Sequence, residues 1–528
     1  MASSPDTKHI RNETTSSTAT VFGGQAPSKS PISRECSTDS QGSTSSSTSS
    51  QSIVPPLDAH SYRTLVLCFD GTGDQFDSDN SNIVQLFTVL KKDDRDKQMV
   101  YYQAGIGTYT SPQVATPMMA KFSKTVDMAI EHNTESGWYL DAHVMGGYEF
   151  LMQNYTAGDR ICIFGFSRGA YTARSLAGMI HKVGILPACN HQQVPFAYKM
   201  FTRDHEIGYA QSAAFKKAFS VDATIEFVGV WDTVNSVGLV PHRLPFTTSN
   251  TLVKTFRHAV SLDERRAKFK ANLWNPHPDH DHDHANDEAA TKDGGKHTQS
   301  HHHRHRHLDL EHDRFFKDAN QKTDIQEVWF SGCHCDVGGG SVANTETVNL
   351  ARIPLRWMIR ECFRTNTGIM FHTEGLRSLG LDPDSLWLEV KPRPEPLPVT
   401  SYLRRIPRNP PPPPSAEEIA EAATPSVFKT EEELDLEDAL SPIYDQLDLA
   451  PGWWVLEFLP VKNKFHDGTG KFVSEIGCNL GRARRIPRQK QGIKIHRSVK
   501  MRMEAQYENG TKYVPRAKFD PQYVTWVD

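Results

Sequence analysis

The sequence predicts an α/β fold, a doubly wound and mainly parallel sheet with a C-terminal extension and a disordered N-terminal tail. Three observations predict it. Short apolar runs such as "RTLVLCF" and "DRICIFGF" have the length of buried strands, stretches of helical periodicity separate them, and each run ends in a polar, glycine-bearing loop. Strands that alternate with helices build a parallel sheet, and such a sheet keeps its site at the carboxyl ends of its strands.

Residues 1 to 60 are dominated by Ser, Thr, Gly and Gln, as in "STDSQGSTSSSTSSQS", and bury too little apolar surface to offset chain entropy; a disordered tail is expected there. The core is expected from 61 to 365. "RTLVLCF" is its first strand, "SNIVQLFTVLKK" its first helix and "QMVYYQAGIGT" its second strand. A third strand, "DRICIFGF", turns at Gly165 into "SRGAYTARSLAGMIHKVG", where Ala170, Ala173, Ala177 and Ile180 recur at helical spacing; small side chains there let the helix lie close on the sheet. "TIEFVGVWDTV" and "DIQEVWFSGCH" supply the fourth and fifth strands.

Between these last two, residues 275 to 315 form a histidine-rich insertion, "HPDHDHDHANDE" and "HHHRHRH". It reads as an expanded surface loop rather than a metal site, because no structured scaffold fixes a ligand geometry. The C-terminal region, 366 to 528, holds a proline-rich and acidic linker at 391 to 440, with an SH3-type or WW-type docking site at "RNPPPPPS" as the alternative reading. Further on, "LAPGWWVLEFL" is expected to be core or lid. The basic run "GRARRIPRQKQGIKIHRSVKMR" is expected to be a solvated face, with weak contact to lipid headgroups as the other reading.

Composition excludes several partners. With 59 basic against 63 acidic residues, the net charge of -4 gives no whole-molecule field for nucleic acid. Eight scattered cysteines read as reduced thiols, no run of 18 apolar residues occurs, and the first twenty residues lack the apolar core of a secretory signal. A cytoplasmic location is expected. The glycines of "AGIGT" lack the third glycine of a dinucleotide fingerprint, so no cofactor is expected.

The chemistry lies at the strand ends. "LVLCFDGTGD" ends in Asp70-Gly71-Thr72, close to the Asp-x-Asp-Gly-Thr of haloacid-dehalogenase-type phosphatases, but Cys68 stands where that chemistry needs its attacking carboxylate. The loop is expected instead to face the site, with Asp70 bracing the turn and Gly71 and Thr72 offering backbone donors to an oxyanion. "CIFGFSRGAYTAR" carries Gly165-Phe166-Ser167-Arg168-Gly169 between strand and helix, the layout of a nucleophile elbow. Ser167 is the expected nucleophile and the Arg168 N–H one oxyanion donor. Base and orienter follow in the order Ser, Asp, His, which selects Asp232 in "GVWDTV" and His334 in "FSGCHCDVGGG". His258 with Asp263 forms a competing acid and base pair, and Asp336 competes with Asp232. A metal at Cys333-His334-Cys335 is disfavoured, since in extended chain the thiols point away from the histidine; no metal is expected.

Six blocks in one order across residues 65 to 340, "CFDGTGD", "YYQAGIGT", "GFSRGAYTARSLAGMI", "VGVWDTV", "HAVSLDERR" and "FSGCHCDVGGG", resemble the type VI secretion phospholipase effectors of the Tle group and their largely uncharacterised fungal relatives. The resemblance implies an α/β-hydrolase catalytic domain and serine esterase chemistry, with phospholipid substrates for the bacterial members. The long tail and proline-rich linker look more like the fungal branch. The function expected is cleavage of lipid or phospholipid acyl esters, the alternative being a catalytically silent hydrolase-fold scaffold.

Overall fold

A computed structural model describes residues 52–105, 136–234, 244–275, 322–399, 429–466, 472–506 and 510–528. Its centre is an eight-stranded sheet: β1 (Thr64–Phe69), β2 (Gln98–Gln103), β3 (Arg160–Phe166), β4 (Ile225–Trp231), β5 (Val253–Ser261), β6 (Asp324–Phe330), β7 (Ile493–His496) and β8 (Val524–Val527). Every neighbouring pair is parallel, in the order β8-β7-β6-β5-β4-β3-β1-β2. The chain runs from β1 outward to β2, then returns across β1 to lay down β3 and proceeds the other way. The reversal lies between β1 and β3, where a parallel sheet opens a crevice at its carboxyl edge.

Period-two alternation makes this sheet two-sided. Leu65, Leu67 and Phe69 of β1 join one buried core, while Val66 and Cys68 join the other. The first core is closed by α2 (Ser136–Asn154), α3 (Ser167–Val183), α4 (Val194–Thr202) and α5 (Glu206–Phe219). On the other face lie α1 (Asn82–Val89), α7 (Arg352–Arg364) and α8 (Glu431–Ala439), with the five-residue α6 (His334–Gly338) beside them. Helix α3 is buried along its whole length, as its small residues allow.

The chain ends are more integrated than their composition indicates. Order begins before residue 61: Ile53–Val54 pairs antiparallel with Phe371–His372. The region after 365 is no separate appendage among the described residues, because β7 and β8 extend the same sheet. Part of the expected linker is also structured. Helix α8 starts with a capping box between Thr430 and Glu433, and its acids meet buried arginines: Arg356 reaches Asp435 and Asp438 at 2.6 Å each, and Arg393 reaches Asp435 at 2.8 Å. An acidic run reads as solvated because its partners lie far off in sequence. The histidine tract from 276 to 321, the proline run and its proposed docking site, and the tail to residue 51 lie outside the described residues. No helix among the described residues is long and apolar enough to cross a membrane.

Candidate active site

Ser167 sits at the junction of β3 and α3 with φ +59, in the left-handed region where a residue with a Cβ is uncommon and strained. The strain turns the side chain out of the sheet at the amino end of α3, where free backbone amides favour negative charge. Asp232 follows β4 directly and also has positive φ, +42. His334 opens α6 after β6; Asp336 closes that turn by accepting the Cys333 N–H at 2.8 Å. Three strand ends thus deliver three side chains. Ser167 Oγ lies 2.8 Å from His334 Nε2, and His334 Nδ1 lies 2.5 Å from Asp232 Oδ2. Phe166 and Phe269 hold the imidazole between them, each ring centroid 4.8 Å away.

Two charged pairs set the electrostatics. Arg484 grips Asp232 with both terminal nitrogens, Nη1 on Oδ1 at 2.5 Å and Nη2 on Oδ2 at 2.8 Å, while the Ser261 N–H donates to Oδ1 at 2.9 Å. Burial alone would raise the Asp232 pKa; the Arg484 charge and the His334 bond outweigh it and hold the carboxyl well below the usual range. Alongside, Arg266 binds Glu264 at 2.8 and 3.0 Å; burial works against ionisation of Glu264, but the arginine prevails and brings it to about 2. Glu264 Oε2 also receives the His334 backbone N–H at 3.3 Å. His334 itself is held below the ordinary histidine value, chiefly by burial and further by Arg266, with Asp232 opposing. Its ring is therefore neutral near neutral pH.

The competitors are engaged elsewhere. His258 accepts the Thr233 N–H on Nε2 at 3.1 Å and bonds Glu327 through Nδ1 at 2.8 Å, so both ring nitrogens are occupied on β5. Its segment is a strand inside the sheet. Asp263 takes the Gly332 N–H at 2.7 Å and the Tyr513 hydroxyl at 2.6 Å, bracing the loop before α6. Asp336 accepts the Tyr444 N–H at 3.0 Å as well as that of Cys333, away from the His334 ring. Cys68 packs in the core on the face of α1 and α7, where burial pushes its thiol far up.

The Asp70 loop lies beside the elbow, with one correction. Asp70 accepts from Ser81 Oγ at 2.6 Å and Tyr102 Oη at 2.7 Å, and it also takes the Gly71 N–H on Oδ1 at 2.8 Å. That last bond commits Gly71 to bracing the turn, which removes its amide from the expected oxyanion donors. Thr72 keeps a buried hydroxyl with no protein partner. Arg168 is the second residue of α3, directly after Ser167.

Arg484 is the residue the sequence reading missed. It sits in the run taken as a solvated face, yet only 3 % of its side chain is exposed. The one local signal is Ile486, two positions on, which is also buried.

Residues 63–361, more than half of the chain, match the family described as "T6SS, Phospholipase effector Tle1-like, catalytic domain". Among curated proteins, the chain is 28 % identical over 576 residues to uncharacterized protein YEL023C of Saccharomyces cerevisiae, covering 86 % of this chain and 81 % of that protein. Among solved structures, it is similar to an uncharacterized protein from Pseudomonas aeruginosa, with TM-score 0.31 and 17 % identity, covering 72 % of this chain and 53 % of the other. A second is the Tle1 effector bound to the VgrG spike of the type 6 secretion system, with TM-score 0.23, 16 % identity, and coverage of 53 % and 51 %. The chain spans about half the length of these two solved structures.

Proposed function

Because the chain belongs to the family of Tle1-like phospholipase effector catalytic domains, we propose that it is a serine hydrolase cleaving carboxylic esters of lipids, with Ser167 as nucleophile, His334 as base and Asp232 as orienter. The observation that carries this reading is the 2.8 Å approach of Ser167 Oγ to a buried His334 Nε2.

In the first half-reaction His334 Nε2 takes the hydroxyl proton as Ser167 Oγ attacks the acyl carbonyl. The imidazolium formed is stabilised by Asp232 through Nδ1–H. Negative charge collects on the carbonyl oxygen, for which the Arg168 N–H at the head of α3 and a donor of Thr72 are the oxyanion pair in this reading. Collapse breaks the ester C–O bond, the alcohol leaves with the proton from Nε2, and the acyl group stays on Ser167. A water molecule then yields its proton to Nε2, its oxygen attacks the acyl carbon, and the acid departs as the proton returns to Oγ.

A lipid substrate is supported by the surface beside the site. Val455, Phe458, Leu459 and Leu480 are exposed, with Val455 at 67 % and Phe458 at 62 %. They are contiguous, since the Leu480 N–H bonds the Glu457 carbonyl at 3.2 Å. Arg482 and Arg485, close after Leu480 in the chain, are exposed as well. Trp453 ties this surface inward, meeting Phe269 edge-on at 5.6 Å. Such an apolar patch with arginines close by in the chain suits an anionic lipid surface. The segment "LAPGWWVLEFL", expected to be core or lid, supplies Val455, Phe458 and Leu459 of this surface.

The experiment is labelling by a fluorophosphonate probe, alone and after incubation with phosphatidylglycerol vesicles. Labelling requires an activated serine: labelling that lipid does not diminish takes lipid out of the substrate class, and absence of labelling altogether returns the chain to the scaffold reading.

A further inference from the structure

Arg484 does more than fill space. All its donors are used: Nε and Nη2 on the Phe269 carbonyl at 3.0 and 2.6 Å, Nη1 on the Ser261 carbonyl at 3.2 Å, and the terminal fork on both oxygens of Asp232. Because the two backbone carbonyls fix the guanidinium, the guanidinium fixes the carboxylate. A planar fork on a carboxylate defines its plane, which a point charge does not. Asp232 Oδ2 serves both Arg484 Nη2 and His334 Nδ1. A change of the fork is therefore a change in what His334 meets.

The geometry points to Arg484 as a positioning residue of the reaction: its fork aims Asp232 at His334 Nδ1 and offsets part of the carboxylate charge, limiting how basic His334 becomes. The inference rests on the hydrolase reading above and deepens it. It also gives the C-terminal region a part in the site, since Arg484 lies outside the stretch matched to the catalytic family. The charged and titratable groups facing His334 are few. Asp232 comes from the end of β4, Glu264 and Arg266 from the loop after β5, and Arg484 from the C-terminal region through Asp232, while Asp336 of its own element is turned to the Cys333 and Tyr444 amides. Glu264 and Arg266 are paired to each other. Asp232 is shared between Arg484 and His334, so removing Arg484 leaves more of its charge for the imidazolium, and the His334 pKa rises.

The test uses Arg484→Lys and Arg484→Gln in the full chain, with p-nitrophenyl butyrate as a soluble substrate. The acid limb of kcat/KM reports the base in the free enzyme. In Arg484→Gln the limb moves up by about one pH unit. In Arg484→Lys, which keeps charge but loses the fork, the limb stays while kcat falls about 10- to 100-fold at unchanged KM. The double variant Arg484→Gln/Asp232→Asn, which buries no unmatched charge, shows no such upward limb. Should Arg484→Gln fail to fold, the Lys variant decides: unchanged kcat overturns the positioning role. A kcat loss with unmoved limb in a folded Gln variant reduces Arg484 to a structural tie. NMR titration of 13Cε1-labelled histidine, with His334→Gln to assign the resonance, reads the same pKa shift without turnover. Wild-type protein that hydrolyses no ester would thus defeat the hydrolase reading and leave the Arg484 shift to stand or fall separately.

Discussion

Gly169 lies against the carbonyl of Asp70: a Cβ at that glycine would sit 2.3 Å from Asp70 O and 2.4 Å from Phe69 O. Real Cβ atoms do not approach backbone oxygen so closely, so the first turn of α3 rests on the end of β1 only because residue 169 has no side chain. This contact joins the "LVLCFDGTGD" stretch to the elbow. It explains why an acidic, glycine-bearing turn with no nucleophile of its own sits beside Ser167.

Gly169→Ala should therefore move the head of α3 away from β1. Both opposing atoms are backbone, and overpacking of this kind costs about 1–3 kcal/mol. Thermal unfolding should show the loss of stability, and the fluorophosphonate labelling rate of the folded fraction should drop as well. Wild-type labelling at wild-type stability would mean that the elbow does not depend on this contact.

Ser167→Ala should abolish labelling. Only a hydroxyl is lost, and alanine at φ +59 carries the same backbone strain as serine, so the melting temperature should change little. His334→Ala should lower turnover by about 10⁴ and preserve binding of a lipid to the folded protein, since the base acts on the serine proton rather than on the ester. Retained labelling in the Ser167 variant would move the nucleophile elsewhere.

Much of this site was legible because it is written locally. A strand, a glycine two positions to either side of Ser167 and a helix give the elbow, and "VWDTV" and "SGCHC" place Asp232 and His334 at strand ends without knowledge of the sheet order. Choosing His334 over His258 was harder, since both adjoin an acid in sequence. What separates them is that β5 carries His258 inside the sheet, with Thr233 and Glu327 on its two nitrogens. Arg484 was not legible. Its partner Asp232 stands 252 residues away, and apolar Ile486 two positions on is too little to tell an arginine folded into a site from its exposed neighbours Arg482 and Arg485. Gly71 misled for a related reason: glycine in a turn signals close approach, but not whether the amide points to a substrate or to the preceding carboxylate.

Activity should survive mild acid. The proposed reaction needs neutral His334, whose pKa is held below the ordinary 6.5, first by burial and then by Arg266 against the opposing pull of Asp232. The acid limb of kcat/KM should therefore be centred below about pH 6.5. A pH profile on a soluble ester checks this. A limb centred at pH 7 or higher would show that Asp232 dominates over burial.

The exposed surface of the C-terminal region should matter for lipid aggregates and not for soluble esters. Replacing Val455, Phe458 and Leu480 together by Ser removes apolar side chains that a bilayer would cover. Full burial of one such side chain contributes roughly 1.5–3 kcal/mol, so even partial insertion of three predicts a fall of at least about 10-fold in turnover on phosphatidylglycerol vesicles. Hydrolysis of p-nitrophenyl butyrate should be unaffected, because the substituted residues are exposed while Trp453, which contacts Phe269, is kept. Sedimentation of the Ser167→Ala protein with the same vesicles separates docking from turnover. Equal losses on both substrates would trace the effect to a disturbed Trp453–Phe269 contact, and unchanged vesicle activity would take this surface out of the lipid interface.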